Sequence, residues 1–301
     1  MVVGEALIDI VVPYGRPDQA EEHVGGSPTN VAIGLARLGH EVQLVTHIGQ
    51  DTRGQTIAAL LANNGVTLSP GSTTSSHTPT GTAFLDAAGH ATYDFDFLFD
   101  LEPDVDVPPG IHLHTGSIGA FVTPGGPKVC DLAIRAHERS TVSYDPNVRP
   151  SLMGDVTDAR PHIEAFVGAA DVVKASDEDL AWLYPETPAD HVMAAWAARG
   201  PAVVVCTRGA HDPLVWLAGA IHTVPARPVD VVDTVGAGDT FMSGMISGLL
   251  DAGLLGGAAA RARLRAATWD DIRPAITRAV EAAAVDCMRA GANPPTRAEL
   301  P

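Results

Sequence analysis

The stretch DTVGAGDTFMSGMISGLLDAGL, residues 233–254, decides how the rest of the chain is read. Its three small residues in a row, Gly236, Ala237 and Gly238, let the backbone turn tightly and bring a ligand close to bare amides. A helix follows at once, with Phe241, Met245 and Leu249 recurring at helical spacing on one stripe. The start of such a helix presents unpaired N–H groups and the positive end of the helix dipole, which together suit an anion. Asp239, in the first turn, is a suitable partner for a hydroxyl that must lose its proton. A plainer account stays open, a glycine turn with Asp239 as the helix N-cap.

Several familiar phosphate-binding patterns are excluded. The third glycine of G-x-G-x-x-G is missing, because position 241 is Phe. No G-x-x-x-x-G-K-[ST] and no H-R-D catalytic loop occur.

Outward from this segment, strand-like and helix-like stretches alternate. GGSPTNVAIGLARLG (25–39), DTRGQTIAALLANNG (51–65), 126–139, 158–170, 176–199 and the final WDDIRPAITRAVEAAAVDCMRAG read as helices. ALIDIVV near the start, EVQLVTHIG (41–49), IHLHTG, TVSYD, DVVK, PAVVVC and two short runs within 213–224 read as strands. Strands alternating with helices predict an α/β fold with a doubly wound, mostly parallel sheet flanked by helices. Residues 78–99 have a different texture, two short strands joined by a glycine-containing turn, and predict a β flap. The acidic, proline-rich 100–110 reads as a loop.

Bulk composition narrows the function classes. The 301 residues are 46% hydrophobic, enough for a sizeable core, and carry a formal net charge of -17. So acidic a chain repels a phosphate backbone and an anionic bilayer, which argues against nucleic-acid and membrane partners. Cys130, Cys206 and Cys287 are odd in number and widely spaced, which is neither a disulfide framework nor a zinc site and fits a reducing cytoplasm. Only Lys128 and Lys174 are lysines, so a lysine near a candidate site stands out.

A second motif, Gly25-Gly26-Ser27-Pro28-Thr29-Asn30, precedes the first helix. Paired glycines admit a polyhydroxylated ligand, and Asn30 offers a donor and acceptors; a flexible turn with an N-cap reads the same residues. Together the two segments resemble the paired signatures of the PfkB (ribokinase-like) carbohydrate kinases, in the right order and roughly 200 residues apart. GEALIDI, YDPNVRPSLM, VVKASDEDL, VVVCTRGA and CMRAGANPPTRAEL are similar to the fructokinase branch, so the resemblance spans nearly the whole chain.

The resemblance implies a single ribokinase-like domain over 1–301 with a small β-sheet lid from about 10–23 and 78–99. It implies an ATP-dependent transfer of the γ-phosphoryl group to a primary hydroxyl of a small sugar, fructose first and 2-keto-3-deoxygluconate as the alternative. Asp239 would be the base, and the amides of Gly236, Ala237, Gly238 and Asp239 the anion hole. Asp9, Gly25, Gly26 and Asn30 would hold sugar hydroxyls, with Arg149 near the sugar or the phosphates. Asp9 also stands out by itself, because an acid in an apolar strand needs a partner. Lys174, Thr207, Gly209 and Gly238 would border the nucleotide, and Asn293 the adenine. Asp179 would organise Mg²⁺ through water, and Asp233 and Val235 would bind a monovalent cation such as K⁺. A homodimer through the lid is also implied.

Two departures from the family pattern bear on activity. Asp179 stands where the family has a glutamate, one methylene longer, and Asp212 replaces a glycine near the nucleotide, where a carboxylate either repels phosphate or points away. They support the alternative of another class, a catalytically weakened sugar-binding protein. His112 and His114 share one strand face but lack an evident third ligand, and read as core or strand-end histidines.

Overall fold

The apolar N-terminus, expected as one strand, is divided between two sheets. Val2–Val3 and Leu7–Val12 are separate strands, and the chain crosses over at Gly4–Ala6. A side chain at Gly4 would collide with Pro28, which packs tightly against this crossing. The structure, a computed structural model, describes residues 1–87, 90–102 and 105–301. Gly89 of the expected 78–99 turn, with Ala88, and Pro103 and Asp104 of the expected 100–110 loop lie outside the described residues.

In chain order the strands are β1 (Val2–Val3), β2 (Leu7–Val12), β3 (Glu21–Gly25), β4 (Val42–Val45), β5 (Val66–Leu68), β6 (Thr80–Leu85), β7 (Ala91–Asp96), β8 (His112–Gly116), β9 (Thr141–Asp145), β10 (Val172–Ser176), β11 (Val203–Arg208), β12 (His211–Leu217) and β13 (Ala220–Thr223). The large sheet runs β13-β12-β11-β10-β9-β8-β1-β4-β5. It is parallel from β11 to β5, and β12 and β13 add antiparallel at one edge. The small sheet runs β3-β2-β6-β7, with β2 and β6 parallel and the outer pairs antiparallel. The short strand β5 and the helices Pro150–Met153 and Ala258–Ala266 are absent from the sequence-based expectation. They are short or dominated by Ala and Arg, so they carry little hydrophobic periodicity.

Helices cover both faces of the large sheet, as a doubly wound fold requires. Side chains alternate along a strand, so each face collects its own set. Val142, Tyr144, Val173 and Ala175 pack on one face with helices Gly125–His137 and Val156–Gly168. Val172, Val203 and Val205 pack on the other with helices Ser27–Arg37, Ala237–Asp251 and Trp269–Cys287. The same alternation puts Ser143, Asp145, Lys174 and Thr207 on this second face, in register across neighbouring strands. Their strands end at the C-terminal edge of the parallel sheet, where open α/β folds bind ligands.

Helix Ala237–Asp251 is seated by small residues. A Cβ on Gly248 would fall 2.5 Å from Ala275 Cα, and one on Gly244 would fall 2.9 Å from Ala279 Cα. These i, i+4 pairs let the helix lie almost backbone to backbone on Trp269–Cys287, which sets the position of its N-terminal turn. His112 and His114 are buried in a hydrogen-bonded ladder with Thr141 and Ser143, at 2.9–3.0 Å.

Candidate active site

Gly236 is the N-cap of helix Ala237–Asp251 and adopts φ 82°, ψ -6°, a left-handed conformation open to glycine at little cost. No side chain caps the helix. The Ala237 amide donates to Thr234 O at 3.2 Å. Among the described residues no protein group accepts from the amides of Gly238 or Asp239. A pair of free amides thus faces the cleft at the positive end of a helix.

Asp239 is 8% exposed, and both of its oxygens are held from the start of helix Ser27–Arg37. Ser27 Oγ donates to Oδ1 at 2.6 Å and Asn30 Nδ2 to Oδ2 at 2.8 Å. Burial raises the Asp239 carboxyl above its usual range, against the pull of Ser27, Asn30, Lys174 and Arg149. The result is an oriented carboxylate more basic than one in water. The two signature motifs, distant in sequence, therefore meet at a single carboxylate.

Asp9 lies on β2 and is accessible from solvent, between Gly25 and Gly81. A Cβ on Gly25 would collide with its carboxylate, and one on Gly81 would lie 3.4 Å from Oδ1. Its carboxyl is raised by the surrounding protein, while Arg149 and His23 pull it down. Arg149 therefore exerts its charge on both Asp9 and Asp239. One of its nitrogens is anchored to Asn147 Oδ1 at 2.8 Å and Val148 O at 3.0 Å. Gly26, at φ 105°, begins the helix that carries Ser27 and Asn30.

On the other side, a cleft of about 780 Å³ is lined by Arg149, Lys174, Thr207, Gly209, Gly238 and Phe241 among others. That volume suits a nucleotide-sized ligand. Lys174 is buried and paired with Asp145 Oδ2 at 2.8 Å. Its Nζ lies 3.2 Å from where a Cβ on Gly238 would stand, so its charge reaches the free amides. Burial pushes the lysine down, but Asp145, Asp179 and Asp239 outweigh it and hold the ammonium charged. Burial raises Asp145 to about 6, with Lys174 opposing, so it is ionised at neutral pH.

Asp179 has both oxygens on backbone amides, Val148 N and Ser176 N, each at 2.8 Å. With Ser176 it forms a capping box that ties the Arg149 loop to the end of β10. Asp212 turns away from the cleft, its Oδ1 taking the Ala226 amide at 2.8 Å. Asn293 is not among the residues lining the cleft. Its Oδ1 accepts from Arg37 at 2.6 Å, which draws it behind the turn. Asp233 accepts from Val235 N at 3.0 Å and Gly291 N at 2.8 Å, and these amides hold its carboxyl below the usual range. Val235 is 58% exposed.

Four residues at the site lie outside the sequence-derived set. Ser27 orients Asp239, and Asp145 pairs Lys174. Glu5, at the crossing between the sheets, accepts from Gly119 N at 2.9 Å, and burial raises it to about 7. Asp286 is buried beside Gly236; burial raises it to about 6, with the Asn293 amide and the nearby Thr240 hydroxyl opposing. Asp145, Glu5 and Asp286 are acids in apolar runs, the signal that singled out Asp9.

A buried, oriented carboxylate, a turn of free amides and a charged lysine converge at the edge of a nucleotide-sized cleft. The model of the pfkB family of carbohydrate kinases matches residues 1–298, and the chain belongs to that family. A fructokinase of Rhizobium leguminosarum bv. trifolii is 34% identical over 262 residues, covering 82% of this chain and 78% of that one. The structure of a fructokinase from Xylella fastidiosa with bound ATP superposes with a TM-score of 0.81 at 23% identity, covering 100% of this chain and 94% of the other. A Vibrio cholerae fructokinase double mutant, bound to fructose, ADP and potassium ion, has a TM-score of 0.76 at 24% identity, with 97% and 93% covered. The fold is thus ribokinase-like and the protein a carbohydrate kinase.

Proposed function

We propose that the protein phosphorylates a primary hydroxyl of a small sugar from ATP, with fructose as the preferred acceptor. The observation that carries this is Asp239, held by Ser27 and Asn30 beneath free amides at the mouth of the cleft. The fructokinase names of the relatives support fructose, and Arg149, whose charge reaches Asp9 and Asp239, is also suited to a carboxylated sugar such as 2-keto-3-deoxygluconate.

In the reaction the sugar hydroxyl oxygen bonds to the γ-phosphorus as the bond to the bridging oxygen of ADP breaks. Asp239 receives the hydroxyl proton. The Gly238 and Asp239 amides and Lys174 balance charge on the phosphoryl oxygens in flight. Asp9, Gly25, Gly26 and Asn30 orient the sugar; Thr207 and Gly209 border the nucleotide. Mg²⁺ supplies charge neutralisation on the phosphates when bound. The Asp145 and Asp179 oxygens already accept from Lys174 or backbone amides, so they suit a metal held through water and phosphate rather than directly. An alkali cation is assigned beside the amide turn, near Asp233 and Val235.

The small sheet is read as a lid over the sugar, and its exposed Phe84 and Tyr93 suit a homodimer through that sheet. A cytoplasmic setting fits the free cysteines, and among the described residues no helix is long and apolar enough to cross a membrane. The case for a non-catalytic sugar binder weakens, since Asp212 points away and Asp179 retains a structural role in the site. ADP release with ATP, Mg²⁺ and fructose, 2-keto-3-deoxygluconate, ribose, glucose or adenosine tests the proposal. Fast release with fructose is expected; release with none of them, despite ATP binding, would overturn it.

A further inference from the structure

Glu5 is buried where the chain crosses from one sheet to the other, and its main chain and side chain grip different parts of the site. Its carbonyl oxygen accepts from Thr29 Oγ1 at 3.1 Å, on the helix that carries Ser27 and Asn30. A Cβ on Gly26 would stand 2.5 Å from that oxygen, so the glycine motif is laid directly against it. The carboxylate reaches the turn that follows β8. There it accepts from Gly119 N at 2.9 Å and from the Ser117 hydroxyl, as well as from its own amide.

That turn holds a conformation that serine rarely adopts. Ser117 has φ 58° and ψ -157°, and Asn147 has φ 39°. With Ala218 they are the three positive-φ residues other than glycine among the described residues. Such backbone persists where its surroundings hold it, and it gathers at functional sites. These two residues also touch, since Asn147 Nδ2 donates to Ser117 Oγ at 3.4 Å. The hydroxyl is free to accept because its own proton goes to Glu5. Asn147 in turn spends its Oδ1 on Arg149 Nη1 at 2.8 Å. Asp145 and Asp179 fix the loop's backbone, at Asn147 N and Val148 N, but among the described residues Ser117 is the one partner of the Asn147 side-chain amide group. Arg149 itself is exposed, and an unanchored side chain of that length spreads over many rotamers.

We propose that Glu5 is a positioning residue, which through Ser117 and Asn147 fixes the Arg149 guanidinium within reach of Asp9 and Asp239. One residue at the sheet crossing thereby sets the sugar-side helix and the Arg149 loop against each other. The inference rests on the kinase reading for what Arg149 does once in place, and not for the chain of contacts that places it.

Glu5→Gln tests this at pH 8. The substitution removes a buried carboxylate charge, so it does not destabilise the chain there, yet it leaves one acceptor oxygen for three donors. Ser117→Ala cuts the same chain one residue further on. Hydrogen exchange at the amides of residues 147–149 is expected to quicken about 10-fold in both variants, against the unchanged or higher global stability of Glu5→Gln. In ADP release with fructose, kcat/KM is expected to fall about 10-fold in each, as a small misplacement of a substrate-facing group does. In an Arg149→Met background the same two changes should alter kcat/KM by less than about 2-fold, because the group they position is gone. Unchanged exchange at 147–149 would overturn the proposal. So would an equal fall in kcat/KM with and without Arg149, which would place the effect of Glu5 elsewhere. Absence of turnover in the wild type would count against the kinase reading instead, and the exchange measurement would still decide whether Glu5 positions the loop.

Discussion

Replacing Lys174 by methionine keeps most of the side-chain volume and removes its charge. The Lys174 and Asp145 side chains are 4% and 1% exposed and 2.8 Å apart, so the change leaves a buried carboxylate without its cation. Breaking one half of a buried pair costs about 3–5 kcal/mol. In a chain this long that lowers the melting midpoint by roughly 5–8 °C. The ammonium also stands beside the free amide of Gly238, and its loss should reduce turnover about 10²–10³-fold, as removal of one oxyanion donor does. Lys174 is one of the charges that lower Asp239, so the acid limb of kcat/KM should move to higher pH. Adding Asp145→Asn removes the orphaned charge. Thermal melts of the double variant should recover most of the lost stability, while steady-state ADP release stays low. Recovery of turnover together with stability would refute a catalytic part for the ammonium and leave it a structural counter-ion.

Asp239→Asn should lower turnover about 10²–10⁴-fold while sugar binding, followed by calorimetry, survives; retained turnover would remove Asp239 as the base. Because burial raises Asp239, wild-type kcat/KM should fall as pH drops through a value above the usual carboxylate range, and a flat acid limb would contradict this. Glu5 goes from 4.5 unfolded to about 7 folded, so its contribution to stability is full below 4.5 and is lost as pH rises through 7. Glu5→Gln should therefore match the wild type near pH 4.5 and exceed it by about 3 kcal/mol near pH 8 in denaturant melts. Gly248→Ala should cost about 1–3 kcal/mol, since its Cβ would meet Ala275 Cα at 2.5 Å. Gly168→Ala, with open space around it, should be neutral or gain up to about 1 kcal/mol.

Much of the architecture could be read along the chain, because the alternation of strands and helices is a local signal. TVSYD and VVKAS each place apolar residues on one face and a charged residue on the other, and that period put Asp145 and Lys174 in line. The N-terminal run misled, since Val2–Val3 and Leu7–Val12 share one composition but pair with different partners, Val45 and Gly25 among them. Asn293, which the resemblance places near the adenine, accepts from Arg37 and does not line the cleft, a contact between residues 256 apart that no local signal announces.

What the sequence determined by itself was the amide turn, its acid, the second glycine motif and the family they mark, because backbone freedom, helix initiation and side-chain chemistry are properties of a few adjacent residues. Tertiary structure alone decided that Ser27 and Asn30 hold Asp239 across 212 and 209 residues of chain. It also decided that Lys174 faces Gly238, that Asp212 turns to Ala226, and that one oxygen of Asp286 is left bare. Those outcomes depend on which distant backbone arrives beside each group and on how far burial strips its water, and neither is written in the residues alongside it.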